Sequence, residues 1–455
     1  MQMQKGGTGI LQYGDHHQWQ GQNLILSDLP DLMQNSIRKT HVDVPLEMAK
    51  ILLPDSQMSV LDFVEVVLPP VCEDTDQASY HVPDGYSFFS DCPASDNVTG
   101  VLAILTVPPK GIVANLLGQV AQKWLDGANS ITVPGTAAFL PLWVAKFWSD
   151  IQLRVHPTQQ GWKQGIVWLQ RPEFTAAFNN VVDDTLKSLG TLSWDGFITA
   201  GPFDVAKFPK FILTTYLSRR WLSDDHIDQI LCSLGKEVNE KLPKQSIHFF
   251  DTIHARKLLL AYDSDRKRAP IYDPTNTKPF LSRFGATLLD TSVLAGIFHV
   301  KGNHWVTIVI DIAEKKVLYG DPAGLSRDEH LVATLLWYLR QHIPGLSSLD
   351  FQHEDLPSPD QDFAYDSHNC GIFSYNALYH YIFPLTPLLQ HTRNLAYGDA
   401  ARASFLQNIV KQYNSHVCLF DFLAIILLKY SVGTGQRTCQ TFEGRGFKQS
   451  VPTDN

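Results

Sequence analysis

The chain has 455 residues, of which 44% are apolar and 18% are charged, and its formal net charge at pH 7 is −9. This length allows two or three domains with sizeable cores, and this composition excludes wholesale disorder. The mild acidity, without a basic stripe, argues against a phosphate backbone as partner, so no nucleic-acid binding is expected. No apolar run reaches about 18 residues, so no membrane partner is expected either.

Cysteine usage and the first residues indicate the compartment. The six cysteines are scattered, with no C-x-x-C pair that would predict a zinc or redox site. The start of the chain is polar and Gln-rich and lacks a charged-then-apolar signal segment. A reducing, intracellular location, nuclear or cytoplasmic, fits best, and the sequence predicts neither a metal site nor a cofactor.

The first half of the chain carries no catalytic motif and no internal repeat. Residues 1–25 are Gln- and Gly-rich and are predicted to be disordered. Residues 26–202 are interpreted as an accessory domain of unknown fold. Within it, the prolines of residues 54–110 favour loops and short strands, such as residues 101–105. The apolar spacing of residues 113–149 predicts helix.

The second half, residues 203–430, reads as an α+β domain with a central mixed sheet. Ser223 followed by two aspartates is typical of a helix start, and apolar residues then recur at helical spacing. Residues 295–321 predict a three-stranded meander whose central strand is apolar on nearly every residue, so both its faces should be covered. A helix is predicted at about 327–342, and the tail, residues 431–455, is predicted to be disordered.

Cys370 stands at the predicted start of an apolar helix. The unpaired N–H groups and the dipole at a helix N-terminus favour a thiolate, which is the reactive form of cysteine. Gly371 next to it allows a close approach of backbone or substrate. Taken alone, Cys370 could equally be one more small buried apolar residue, as most lone cysteines are.

His304 begins the central strand of the meander, and Asp321 ends the next strand. A hairpin places both at one end of the sheet, although a tight turn leaves them several residues out of register, so a bulge or a curving chain end must close the gap. A thiol, an imidazole and a carboxylate are the parts of a cysteine-nucleophile hydrolase. The alternatives are a strand-end histidine bonded to backbone and an Asp-Pro turn.

These residues together resemble a known family. Trp221-Leu222-Ser223-Asp224, His304-Trp305, Asp321 and Cys370-Gly371 occur in the order and spacing of the ubiquitin-like-protein-specific proteases. These are the SUMO (sentrin) deconjugating cysteine peptidases, which are related to adenovirus protease. The resemblance covers residues 203–430 and implies a papain-like or adenain-like fold. It says nothing about the first half of the chain.

Two positions depart from the family pattern. The family usually has Asp-Cys-Gly, and here Asn369 precedes Cys370. The oxyanion glutamine of the family normally lies where this chain has Ala364, and the nearest glutamine is Gln361. We expect a slightly longer loop to deliver the Gln361 amide to the oxyanion, together with the Cys370 N–H. Otherwise another donor serves or the enzyme is weak, since losing one oxyanion donor costs about 10²–10³ in rate.

The resemblance also suggests a substrate-binding slot. In the family, aromatic side chains flank the slender Gly-Gly tail of the substrate, which gives that role to Trp305 and Trp221. Either tryptophan could instead be core. The acidic stretch from His353 to His368, which includes Asp366, matches no metal-ligand spacing and is interpreted as a solvated loop.

The resemblance implies hydrolysis of peptide or isopeptide bonds after Gly-Gly of a SUMO-type modifier, with that modifier and its conjugates as partners. Two alternatives remain open. One is a catalytically degenerate module that only binds a ubiquitin-like protein. The other is a polyprotein-processing protease of a virus or mobile element. The oligomeric state is not predicted.

Overall fold

The computed structural model describes residues 19–72, 80–200, 206–243, 246–268, 271–275, 279–346, 351–362, 366–389 and 395–431, with side chains up to residue 415. The α-helices, in chain order, are α1 Asp31–Ile37, α2 Leu46–Leu52, α3 Val60–Val64, α4 Val98–Ile104, α5 Lys110–Leu125, α6 Val144–Asp150, α7 His156–Leu169, α8 Pro172–Leu189, α9 Asp224–Lys241, α10 Thr252–Arg266, α11 Phe280–Ala286, α12 Glu329–His342, α13 Cys370–Ile382 and α14 Ala396–Ser431. The strands are β1 Phe89–Ser90, β2 Ser130–Thr132, β3 Phe139–Pro141, β4 Phe197–Ala200, β5 Ala206–Pro209, β6 Ile247–Phe250, β7 Val293–Val300, β8 His304–Asp311, β9 Lys316–Gly320 and β10 Gln352–Asp355.

A five-stranded mixed sheet in the order β10-β9-β8-β7-β6 forms the centre of the second half. Strands β7, β8 and β9 pair antiparallel as the predicted meander, while β6 and β10 add parallel edges. The sheet and its flanking helices confirm the predicted α+β class.

Both faces of β8 are covered, as its sequence predicts. Val306, Ile308 and Ile310 point into a core completed by helices α10, α11 and α12. Trp305 and Val309 point into the opposite core, which α9 and α13 cover. Alternate residues of a strand face opposite sides of the sheet, so the nearly continuous apolar run of β8 serves two cores at once.

The core on the α13 side extends into the first half of the chain. It joins Trp162 of α7 and Leu217 to Ile230 of α9, Ile372 of α13 and Leu406 of α14. At Gly165 of α7, an added Cβ would lie 3.0 Å from Leu217 Cβ. The first half therefore packs against the second half through one shared apolar core.

The first half is helical and additional to the α+β domain. Residues 101–105 were predicted as a short strand, and this is wrong because they lie mostly in α4. The helical prediction for residues 113–149 is only partly right, since β2 and β3 separate α5 from α6. Gly127 and Gly135 adopt positive φ between these elements, a conformation that interrupts a helix.

The predicted end segments fall largely outside the described residues, which begin at residue 19 and stop at residue 431. Residues 19–26 run along α5, where the Gly21 N–H donates to the Leu125 carbonyl at 2.7 Å and the Leu26 N–H donates to Gln122 Oε1 at 2.7 Å. Of the helices in the described ranges, none has both the length and the apolar character to cross a membrane.

The shared core generates a prediction about truncation. Removing residues 1–202 would expose the apolar faces of α9, α13 and α14, so the remaining fragment should not unfold cooperatively. Circular dichroism during thermal unfolding checks this against the full chain. A fragment that unfolds cooperatively with a midpoint within a few degrees of the full chain would show that the second half folds independently.

Candidate active site

His304 and Asp321 form a buried pair at one end of the central sheet. The His304 Nε2 and Asp321 Oδ1 atoms are 2.7 Å apart, and both side chains are only 3% exposed. Pairing of β8 with β9 ends at Thr307 and Gly320, after which the chain leaves the sheet. Asp321 Oδ1 also accepts the Ala323 N–H at 2.8 Å, so the Asp-Pro turn and the histidine contact occur together.

Cys370 lies at the first position of α13 and is buried. Its thiol lies close enough to the His304 ring to interact with it and to raise the pKa of that ring. Because Asp321 occupies Nε2, the ring nitrogen that remains for the thiol is Nδ1. The structure thus brings together the three residues that the sequence predicts, with the thiol at the positive end of a helix, where negative charge is favoured.

Two buried hydroxyl groups fix α13 against β8. Thr307 Oγ1 donates to the Ser374 carbonyl at 2.6 Å, and Ser374 Oγ donates to the Trp305 carbonyl at 2.8 Å. We call this pair of hydrogen bonds the β8–α13 seam. Ser374 is one helical turn after Cys370, and Trp305 directly follows His304, so the seam sets the position of the thiol relative to the imidazole.

The environment of His304 favours its charged form. Burial acts to lower the pKa of His304, but the hydrogen bond to Asp321 and the interactions with the Cys370 thiol and the Asp321 charge outweigh it and raise that pKa to about 9. At neutral pH the ring is therefore protonated and can stabilise a thiolate at Cys370 as an ion pair.

An open groove of about 540 Å³ lies beside this pair and is lined by residues 221–225, His299 and Trp305. Trp305 is buried, and its Nε1 donates to the Leu222 carbonyl at 3.0 Å, whereas Trp221 is 42% exposed at the rim. A Cβ added at Gly371 would lie 3.0 Å from Ile227 Cδ1 and 3.4 Å from Trp305 Cδ1, a groove residue. Gly371 therefore permits the close packing of α13 against the groove floor.

The α9 start that supplies the groove rim forms as the sequence predicts. Ser223 precedes the first helical residue, Asp224, and its N–H donates to His226 Nδ1 at 3.2 Å in a reciprocal cap. His226 is buried, and its Nε2 contacts the Ile212 carbonyl at 2.9 Å, so both ring nitrogens have a partner.

Gln361 is buried close to the nucleophile segment, and its amide is engaged in the loop. Its Nε2 donates to the Asp366 carbonyl at 2.8 Å, and its backbone N–H donates to the Pro322 carbonyl. Gln361 Oε1 has no hydrogen-bond partner among the described residues. Gln361 thus links the Asp321-Pro322 turn to the segment before Cys370, and its part in oxyanion binding stays a prediction.

The loop before Cys370 differs from the expected solvated acidic stretch. Asp366 and His368 are 2% and 6% exposed, so that interpretation is wrong for these two residues. Asp366 accepts the N–H groups of His368 and Asn369 at 3.1 and 3.0 Å, and it accepts Asn369 Nδ2 at 2.9 Å. These bonds explain how a carboxylate is tolerated in the interior.

Sequence reasoning missed Arg402, which lies on α14 and is fully buried. Its Nε donates to Asn369 Oδ1 at 2.7 Å, next to the nucleophile. The signal in the sequence was an arginine among the apolar residues of a helix. A fully buried arginine needs several hydrogen-bond acceptors, so such a position indicates contacts with other chain segments.

The segment that contains Cys370, His304 and Asp321 matches a known protein family. Residues 220–387 match the family model described as "Ulp1 protease family, C-terminal catalytic domain". The chain carries a Ulp1-family catalytic domain. This confirms the predicted resemblance, and the family assignment makes the region a cysteine-peptidase domain. The model covers Trp221, His304, Asp321 and Cys370, and it ends before α14.

Solved structures resemble the chain weakly. The Ulp1 protease domain in complex with Smt3, the yeast ortholog of SUMO, is 17% identical, with a TM-score of 0.37 over 50% of this chain and 93% of that chain. The Chaetomium thermophilum Ulp1-like SUMO protease domain is 16% identical, with a TM-score of 0.35 over 47% and 82%. The Xanthomonas campestris effector XopD bound to ubiquitin is 16% identical, with a TM-score of 0.29 over 43% and 92%. No curated protein matches the chain.

The charge state of His304 gives a prediction for this Ulp1-family domain. Since the pKa of His304 is raised to about 9, the ring should remain protonated through neutral pH and lose its proton only near pH 9. Asp321→Asn removes one of the two stabilising charges and should move the midpoint to lower pH. NMR titration of labelled histidine checks both, with the His304→Gln spectrum identifying the resonance. A wild-type midpoint at or below the ordinary value of 6.5 would contradict this electrostatic picture.

Proposed function

We propose that this protein hydrolyses peptide or isopeptide bonds that follow the Gly-Gly tail of a ubiquitin-like modifier of the SUMO type. The observation that carries the proposal is the buried contact of Cys370 with the His304–Asp321 pair inside a Ulp1-family domain. The proposal includes modifier precursors and conjugates as substrates.

In the proposed mechanism, the Cys370 thiolate attacks the carbonyl carbon of the last glycine. A carbon–sulfur bond forms, and the carbonyl electron pair moves to oxygen. When the tetrahedral intermediate collapses, the carbon–nitrogen bond breaks and His304 gives its proton to the departing amine. Water then attacks the thioester with His304 as base, which releases the glycine carboxylate and regenerates the thiolate. Asp321 orients the imidazole and stabilises its charged form.

The oxyanion of this intermediate needs at least two donors. We assign the Cys370 N–H, at the start of α13, and the Gln361 amide. An amide nitrogen has two N–H groups, so the bond from Gln361 Nε2 to the Asp366 carbonyl leaves one for the oxyanion. The hydrogen bond from Gln361 to Asp366, four residues before Cys370, keeps the amide near the nucleophile segment. This supports the role of Gln361 despite the departure from the family spacing.

Trp305 and Trp221 are assigned to substrate binding at the groove. A narrow slot with aromatic walls admits only residues without side chains and so selects glycine. Trp305, held by the Leu222 carbonyl, would form the fixed wall, and the half-exposed Trp221 would cover the tail from the rim.

A second candidate function is binding of a ubiquitin-like protein without turnover. The observation that favours it is the bond of Gln361 Nε2 to the Asp366 carbonyl, because it uses one of the two N–H groups of the amide and limits how the other can be aimed at an oxyanion. A polyprotein-processing role would share the chemistry and differ only in substrate, so cleavage of small-residue peptides separates it from modifier hydrolysis.

The nucleophile prediction is direct. Cys370→Ala should abolish cleavage of a SUMO precursor while leaving the thermal midpoint close to that of the wild type, because only one buried sulfur atom is lost. Parallel assays with SUMO, ubiquitin and short Gly-Gly peptides, each followed by mass spectrometry, give the substrate class. Cys92→Ala, at an exposed cysteine in the first half, is the matched control and should retain full activity. Cleavage that survives in Cys370→Ala would refute the mechanism.

The oxyanion assignment has its own test. Gln361→Ala should lower kcat by about 10²–10³ if its amide binds the oxyanion. Gln361→Glu keeps the shape and places a negative charge near the oxyanion, so it should be at least as impaired. Steady-state kinetics on the preferred substrate measure both. A loss of less than about threefold in Gln361→Ala would assign the oxyanion to other donors.

A further inference from the structure

Arg402 is a buried cation directly behind the nucleophile segment. Burial lowers its pKa to about 10, so it remains charged at neutral pH. The guanidinium donates to Asn369 Oδ1 and to the His368 carbonyl, at 2.7 and 3.0 Å. On the other side it donates to the carbonyls of Thr215 and Arg220, at 3.1 and 2.5 Å. One side chain therefore joins the segment before Cys370 to the segment that leads into the groove rim.

Asn369 connects this cation to a carboxylate. Its Oδ1 accepts from Arg402, and its Nδ2 donates to Asp366 Oδ2 at 2.9 Å. Asp366 also accepts two backbone N–H groups of the same segment, so the two residues before Cys370 are held by side chains on both sides. The backbone that presents the thiol thus has one arrangement that satisfies every one of these bonds.

We call the chain of hydrogen bonds from Arg402 through Asn369 to Asp366 the relay. Helix α14, which carries Arg402, packs against Asn369 and is also bonded to the first half of the chain. A Cβ at Gly398 would lie only 2.4 Å from Asn369 Nδ2, so glycine is required for this approach. The fully buried Asp399 accepts from Arg171, at the start of α8, at 2.8 Å and from Arg219 at 3.1 Å. Arg402 follows Asp399 by three residues on the same helix, and the first half therefore supports the position of the relay.

We propose that Arg402 is a positioning residue that acts on Cys370 through Asn369 and the His368 carbonyl. This inference rests on the proposed peptidase function of Cys370. Arg402 touches no reacting atom in this assignment. It fixes the segment before the nucleophile relative to the segment that leads into the groove rim. The Cys370 thiol is thereby held in position relative to the His304 imidazole and to the proposed glycine slot.

Stability alone does not account for this arrangement. Burying a charge costs free energy, and well-packed apolar residues often replace buried ionic networks without loss of stability. Among the described residues, Arg402 hydrogen-bonds to no carboxylate, and its donors bind three backbone carbonyls and one side-chain amide oxygen. Such a fork fixes the relative position of several chain segments, which an apolar side chain of similar volume would not do.

The first test compares Arg402→Lys with a matched change on the same helix. Lysine keeps the charge but cannot reach four acceptors, so kcat for a SUMO or ubiquitin aminomethylcoumarin substrate should fall about 10²-fold, as expected for a misplacement of about 1 Å. Gln407→Met, also on α14, removes the bonds of Gln407 to Val181 and Thr185 of α8, which do not involve the segment before the nucleophile. Both variants should lose thermal stability, but only Arg402→Lys should slow cleavage and the alkylation of Cys370 by iodoacetamide, measured per folded molecule.

The second test exchanges the two partners of the relay. Asn369→Asp alone places a carboxylate against Asp366 and should lower kcat at least tenfold. Adding Asp366→Asn removes that repulsion and restores the bond between positions 366 and 369 in the reverse sense, while the aspartate at position 369 accepts from Arg402. The double variant should therefore recover at least tenfold over Asn369→Asp. No recovery would overturn the relay, even if the single variants fold poorly.

The outcomes separate this inference from the proposed function. Wild-type protein that cleaves neither substrate, with iodoacetamide alkylating Cys370 no faster than an ordinary thiol, would refute the peptidase proposal. Active wild-type protein with unchanged kcat and alkylation rate in Arg402→Lys would refute only the role of Arg402.

Discussion

The β8–α13 seam is the constraint on which the rest of the site depends. It joins residues 67 and 69 positions apart in sequence through two buried hydroxyl groups, Thr307 and Ser374. Each hydroxyl donates to a carbonyl of the opposite element, and a buried hydroxyl left without a partner is costly. A helix shifted along the strand would break both bonds at once. Cys370 and His304, each within four residues of the seam, therefore meet in one geometry.

Much of the site could be predicted because its signals are local. The apolar run of β8, the cap at Ser223 and the helix that starts at Cys370 each follow from short-range patterns. The unresolved point was the register of Asp321 against His304. The structure closes the gap through turn chemistry, since the chain leaves the sheet after Gly320 and Asp321 Oδ1 holds both the Ala323 N–H and the imidazole. Pairing rules for a regular hairpin do not contain this exit.

The remainder could not be predicted because it depends on contacts between distant segments. From the sequence, Asp366 is predicted to be an exposed loop carboxylate. Its burial depends on Asn369, which binds both Asp366 and Arg402, a residue more than thirty positions later in the chain. The first half likewise shows no motif, because its contribution is an apolar core shared with α9, α13 and α14. The wrong predictions for the first half have local causes. Residues 101–105 form a short apolar run that suits a strand and a helix alike, and glycines interrupt the predicted helix after α5.

We propose Cys370 as a nucleophile positioned for the carbonyl of a terminal glycine. The most direct measurement is peptide mapping by mass spectrometry after incubation with SUMO or ubiquitin that carries a C-terminal vinyl methyl ester in place of the last glycine. We expect a one-to-one covalent adduct on Cys370 with at least one of these probes, and we expect this adduct to disappear in His304→Gln. Tight binding of either probe without any bond to Cys370 would contradict it.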